Sequence, residues 1–150
     1  MGAAPSPTST YDSDFYAWAM EQAALIRAGN LAAVDLEHVA EEIESMGKSE
    51  KRELVNRLKV LLLHLLKWRH QPEFRGNSWR LSIANTRDEL ADHLADNPSL
   101  KAKLGETLAT AYRYARREAA METALPLAAF PEACPWPFEL LADDDFWPEG

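Results

Sequence analysis

The chain has 150 residues, 47% of them hydrophobic and 27% charged, with nine prolines and a single cysteine. That is the length of one domain and the make-up of a soluble globular fold, which excludes fibrous, disordered and disulfide-built classes. The net charge of −8 is unevenly spread: residues 1–47 carry one Arg against eight acids, residues 48–80 nine Lys or Arg against three, and residues 81–150 six against thirteen. A basic middle element is therefore expected to lie beside acidic helices and to be satisfied by them, since opposite charges brought close lower the energy of the compact state.

Residues 1–10 are small and polar, without the positive start and apolar middle of a secretory signal, and are expected to form a disordered extension. The longest apolar run, Val60 to Leu66, is broken by His64 and far short of the ~20 residues that span a bilayer. A cytoplasmic location without membrane association is the expectation. Residues 11–148 should then form one helical domain.

Tyr11 and Asp12 offer a staple and an N-cap for a first helix carrying Phe15, Trp18, Gln22, Leu25 and Ile26, which Arg27 and Gly29 close. Asp35 caps a second stripe of Leu36, Val39, Ala40, Ile43 and Met46, expected to stop at Gly47 in a left-handed turn. A third helix follows from Lys48 or Ser49, with Leu54, Leu58, Leu61, Leu65 and Trp68 along one line, widened by Val55, Leu62 and Leu66. At ~100° per residue these positions cover an arc of ~160°, broad enough to touch several neighbours, so this helix should form the centre of the bundle.

Pro72 and Gly76 end the third helix, and Asn77 or Ser78 can start a fourth bearing Trp79, Ile83, Leu90 and Leu94. Asn97-Pro98 marks the sharpest boundary, because proline at the first helical position loses no hydrogen bond. Leu100, Leu104, Leu108, Ala111, Tyr112, Ala115 and Ala119 continue a fifth. Five of the nine prolines then fall between Leu125 and Pro148, among Phe130, Trp136, Phe138, Phe146 and Trp147. The fold class is all-α: a single-domain bundle of about five main helices with an irregular, aromatic- and Pro-rich C-terminal tail that wraps back over apolar surface.

Several motifs stand in order along these elements: Tyr11-Asp12-Ser13-Asp14-Phe15-Tyr16-Ala17-Trp18, Glu21-Gln22-Ala23, Ala40-Glu41-Glu42-Ile43-Glu44-Ser45-Met46-Gly47-Lys48-Ser49-Glu50, His64-Leu65-Leu66-Lys67-Trp68, Ser78-Trp79-Arg80 and Phe130-Pro131-Glu132-Ala133-Cys134-Pro135-Trp136. Together they resemble the bacterial family known as domain of unknown function twenty-nine, from about Tyr11 to Pro148. The resemblance implies an all-helical bacterial, cytosolic protein and brings no activity and no catalytic residues with it.

No nucleophile elbow, phosphate-cradling glycine loop or Cys/His metal cluster is present, so no cofactor and no metal is expected. Cys134 has no basic neighbour and reads as a packed thiol. An enzyme reading would rest on His64 at the edge of the third helix, with Glu42 or Glu44 reaching it across a hairpin at Gly47 for proton transfer or metal assistance. A nucleic-acid reading would use Lys67, Arg69, Arg75 and Arg80 on phosphates, with Trp68 and Trp79 stacking bases. Both tryptophans fall on apolar stripes, however, and the chain is acidic. The favoured reading is a small protein-interaction or regulatory module with a protein partner or a second copy of itself. The aromatic tail is its face if exposed, and structural if folded back.

Overall fold

The computed structural model describes residues 7–149. Among them the fold is an all-α helical bundle without strands, consisting of α1 (Pro7–Ser13), α2 (Phe15–Arg27), α3 (Leu36–His70), α4 (Asn77–Asp96), α5 (Leu104–Thr123) and a short α6 (Phe138–Leu141). Single 3-10 segments at Leu31–Ala33, Pro72–Phe74, Pro98–Lys103 and Leu127–Ala129 link them. The chain clusters into two compact units, Met1–Ser49 and Glu50–Gly150.

In the first unit, α1 starts at Pro7, inside the stretch expected to lack structure; the rest of that stretch, residues 1–6, lies outside the described residues. Asp14, not Asp12, caps α2, its carboxylate accepting the Ala17 N–H at 3.0 Å. Gly29 closes that helix as expected: at φ +74° it occupies a conformation that costs glycine little, and its N–H reaches the Ile26 carbonyl at 3.0 Å. Asp35 accepts from the His38 N–H at 3.5 Å at the start of α3.

The main correction lies at Gly47. The expected left-handed turn is absent, and α3 continues through this residue for 35 residues in all. Glycine inside a helix costs only ~1 kcal/mol relative to alanine, too little to break a helix whose later turns are buried, and Glu44 and Lys48 stand at a favourable helical spacing across it.

The second unit has the central element the leucine pattern required. Leu54, Leu58, Leu61, Leu62, Leu65 and Leu66 are wholly buried and Trp68 nearly so, in one core with Ile83, Leu90 and Leu94 of α4 and Ala111, Tyr112, Ala115 and Ala119 of α5. At roughly 1.5 to 3 kcal/mol per large apolar side chain, this cluster is the dominant stabilising term. The basic face of α3 is met by carboxylates as its charge predicted: Lys51 pairs with Glu106, Arg57 with Glu53 and Glu89, Lys59 with Glu118 and Lys67 with Glu122, at 2.6 to 3.6 Å. Being solvent-accessible, these pairs fix register more than they add stability.

The tail is folded back and therefore structural. Phe130, Trp136 and Leu141 are buried in the same core. Two arginines fasten its main chain: Arg116 donates to the Leu127 and Phe130 carbonyls at 3.1 to 3.2 Å, and Arg87 donates to Leu141 at 2.8 Å, Phe146 at 2.6 Å and Asp144 at 3.4 Å. The Tyr112 hydroxyl donates to the Pro131 carbonyl at 2.6 Å. Irregular chain cannot satisfy its own carbonyls, so these side chains do it instead.

Candidate functional site

With no turn at Gly47, the hairpin meant to bring Glu42 or Glu44 to His64 does not form. Each residue has other company. His64 sits on α3 with Nδ1 2.8 Å from the Val60 carbonyl one turn back, a local helix bond. Glu42 accepts a short hydrogen bond from the Tyr11 hydroxyl, and Glu44 is exposed. Among the described residues no group of three or more His, Cys, Asp or Glu is placed to hold a metal ion, and no helix is long and apolar enough to cross a membrane.

Sequence reasoning passed over the network that holds the first unit together. Tyr11 stacks on His38 with ring centroids 4.1 Å apart and meets the Trp18 edge at 4.7 Å. The Asp35 carboxylate accepts from Trp18 Nε1 at 3.1 Å and lies 2.7 Å from His38 Nδ1, while the Asp35 N–H donates to Gln22 Oε1 at 2.7 Å. Burial favours the neutral acid at Asp35, but the bonds from His38 and Trp18 outweigh it and hold the carboxyl below its usual range. The same bond raises His38 above the ordinary histidine value, and the Glu42 bond pushes the Tyr11 phenol up to about 12. The phenol thus stays protonated, and Asp35, bonded to both Trp18 and Gln22 of α2, fastens the start of α3 to that helix. The sequence signal was the Asp35 cap with His38 three residues on, whose second role needed Trp18 from another helix.

Beside this network runs a small groove of about 190 Å³, between α2 and the first turns of α3. Trp18, Gln22, Ala23, Ile26, Val39 and Ile43 line it, with Glu42 at its edge. Of its lining, Ile43 is 62% exposed and Ile26 is exposed too, and elsewhere on the two helices Met46 (68%), Leu36 (63%), Phe15 and Met20 face solvent. The second sequence stripe was therefore real as a stripe but is not covered. Apart from Arg27 and Lys48, every charge in this unit is one of eight carboxylates.

In the second unit, the residues considered for nucleic acid gather around Trp68, which is buried rather than offered for stacking. The guanidinium of Arg75 lies 5.1 Å from its ring centroid, that of Arg80 5.3 Å, and Trp147 of the tail packs against it at 4.6 Å. Trp79 is half-buried under the Lys67 ammonium, 5.0 Å from its centroid, and Lys67 also pairs with Glu122. Arg69, beside His70, forms no ion pair with any described residue. The cations are thus brought together, but the aromatics that would read bases are occupied.

A further groove of about 440 Å³ follows α5, with Leu108, Tyr112 and Cys134 on its floor and Arg113, Arg116 and Arg117 along its rim. Burial raises Cys134 above the ordinary thiol value, and its S–H points to the Trp136 carbonyl at 3.3 Å, so the thiol is inert packing.

A family profile described as Domain of unknown function DUF29 matches residues 10–147, so the chain belongs to that family, as its motifs implied. No curated protein and no solved structure matches it.

Proposed function

We propose that this protein is a protein-interaction module whose docking surface is the groove between α2 and the start of α3, and that its partner presents a basic amphipathic helix. The observation carrying this reading is the exposed apolar side of these two helices set within an acidic unit. Ile26 and Ile43 stand on the groove's lip, ready to receive anchors spaced along one face of an incoming helix. Surplus carboxylates favour Lys and Arg on that helix's flanks and speed its approach. A second copy of the same surface is the poorer occupant, because it would set two acidic faces against each other. The groove takes few anchors, so affinity should be modest and salt-sensitive.

Fluorescence anisotropy with two helical peptides of equal length tests this, one pairing leucines with lysines and the other leucines with glutamates. The lysine peptide should bind, more weakly as salt rises, and Ile43→Asp should abolish binding while leaving the melting temperature unchanged. Equal binding of both peptides, or an Ile43→Asp protein that still binds, would overturn the reading.

A further inference from the structure

At the C-terminal end of α3, Arg75 donates its Nε–H to the Trp68 carbonyl at 2.7 Å, with its guanidinium held over the Trp68 ring. These contacts fix its plane, yet Nη2 is buried with no hydrogen-bond partner among the described residues. His70 Nε2 is likewise buried and unpaired, its ring packed on Phe130 with centroids 4.5 Å apart. Both residues line one open cleft of about 620 Å³ together with Arg69, Pro72 and Glu149.

Cations at a helix C-terminus are ordinary compensation for the helix dipole, and that accounts for the Nε bond. It does not account for the other two groups, since a buried polar atom left unmet keeps its full desolvation cost. Nor does a carboxylate answer the charge: among the described residues Arg69 and Arg75 pair with none, and Glu149, in the cleft wall, has no ion pair either. An oxyanion supplies opposite charge and several acceptor lone pairs at once, matching a guanidinium fork beside a second cation. Neutral His70, with its proton on Nε2, adds a third donor.

The geometry points to a binding site in this cleft for a small oxyanion of the phosphate class, held by Arg69, Arg75 and His70, with the Glu149 carboxylate as its built-in competitor. The site is independent of the groove proposed above and lies wholly in the second unit. A polymer is the less suitable ligand, because Trp68 offers no stacking face. Free phosphate and a phosphate ester share this chemistry.

Histidine side-chain NMR on the full chain, titrated with inorganic phosphate and separately with a nucleoside monophosphate at constant ionic strength, tests the assignment. The His70 resonance should move saturably while those of His64 and His93 stay in place. Tighter binding of the monophosphate would identify an ester and tighter binding of phosphate the free ion, and either result supports the site. Arg69→Gln should weaken binding about tenfold by removing a charge-assisted hydrogen bond. Arg75→Lys should weaken it too by losing the fork, and Glu149→Gln should strengthen it several-fold. Arg113→Gln, on the α5 groove, should change nothing. Absence of a saturable shift at His70, or equal weakening by Arg113→Gln and Arg69→Gln, would overturn the site. So would a single-stranded oligonucleotide that outcompetes phosphate at equal phosphate concentration.

Discussion

Along α3, Leu54, Leu58, Leu61 and Leu65 have no solvent exposure, whereas Leu36, Ile43 and Met46 on the same helix are each more than 60% exposed. The two stretches follow the same helical spacing. They differ in what the rest of the chain brings to them. The later stretch meets Ile83, Leu90, Ala111, Ala115 and the tail residues Phe130 and Leu141, while the earlier one meets α2 along one side only. Periodicity in a sequence thus marks a face of a helix and says nothing about its occupant. One unit shows what a face looks like when its cover is encoded in the chain, and the other when it is not.

The largest effects should separate these stretches. Leu61→Ala is expected to cost about 3 to 4 kcal/mol by opening a cavity in a closed core, while Ile43→Ala should fall within ~0.5 kcal/mol of wild type. Urea unfolding of both variants checks this, and a comparable loss at the two sites would erase the distinction. Next in size is Arg87→Ala, expected to cost about 3 kcal/mol by leaving the carbonyls of Leu141 and Phe146 unmet inside the second unit. Limited proteolysis of that variant should cut first within residues 138–149.

Two histidines, one in each unit, should respond to pH with opposite sign. His38 is raised by its bond to Asp35, so its contribution is complete below pH 6.5 and lost as pH climbs through its folded pKa. His70 is lowered by burial and by Arg69, so the unfolded chain takes up its proton first and stability is lost as pH falls below 6.5. Urea midpoints on either side of pH 6.5 should therefore show His38→Gln removing a loss on the alkaline side and His70→Gln removing one on the acid side. The reverse pattern would contradict the Asp35 bond described for His38 and the burial described for His70. Smallest is Ala124→Gly. Ala124 closes α5 at φ +58°, a left-handed conformation glycine adopts without strain, and the change should raise the melting temperature through a gain of about 0.5 to 1 kcal/mol.

The leucine stripe on α3, the Asn97-Pro98 boundary and the Gly29 cap were legible because each rests on local chemistry: an apolar repeat, a proline without an N–H, a positive φ. Even there, Pro98–Lys103 is a 3-10 segment and α5 begins only at Leu104. Gly47 misled because permissiveness is not obligation, and a glycine able to turn also extends a helix at small cost. Arg87 and Arg116 left no trace because their partners are main-chain carbonyls, which every residue carries. The candidate sites were legible in part. Arg69 and Arg75 were singled out as cations, but their cleft depends on His70 and on Glu149, nearly eighty residues away in sequence. The groove needed α2 laid beside α3, and that follows from the Trp18–Asp35–His38 bonds rather than from either stripe alone.

That α3 is one helix through Gly47, with its early face uncovered and its later face sealed, is tested most directly by the unfolding free energy of Gly47→Ala. A side chain there would meet nothing within 4 Å, so helical alanine should raise stability by about 0.5 to 1 kcal/mol. A fall in stability would mean that Gly47 occupies a turn which alanine cannot adopt, and the continuous helix would be contradicted.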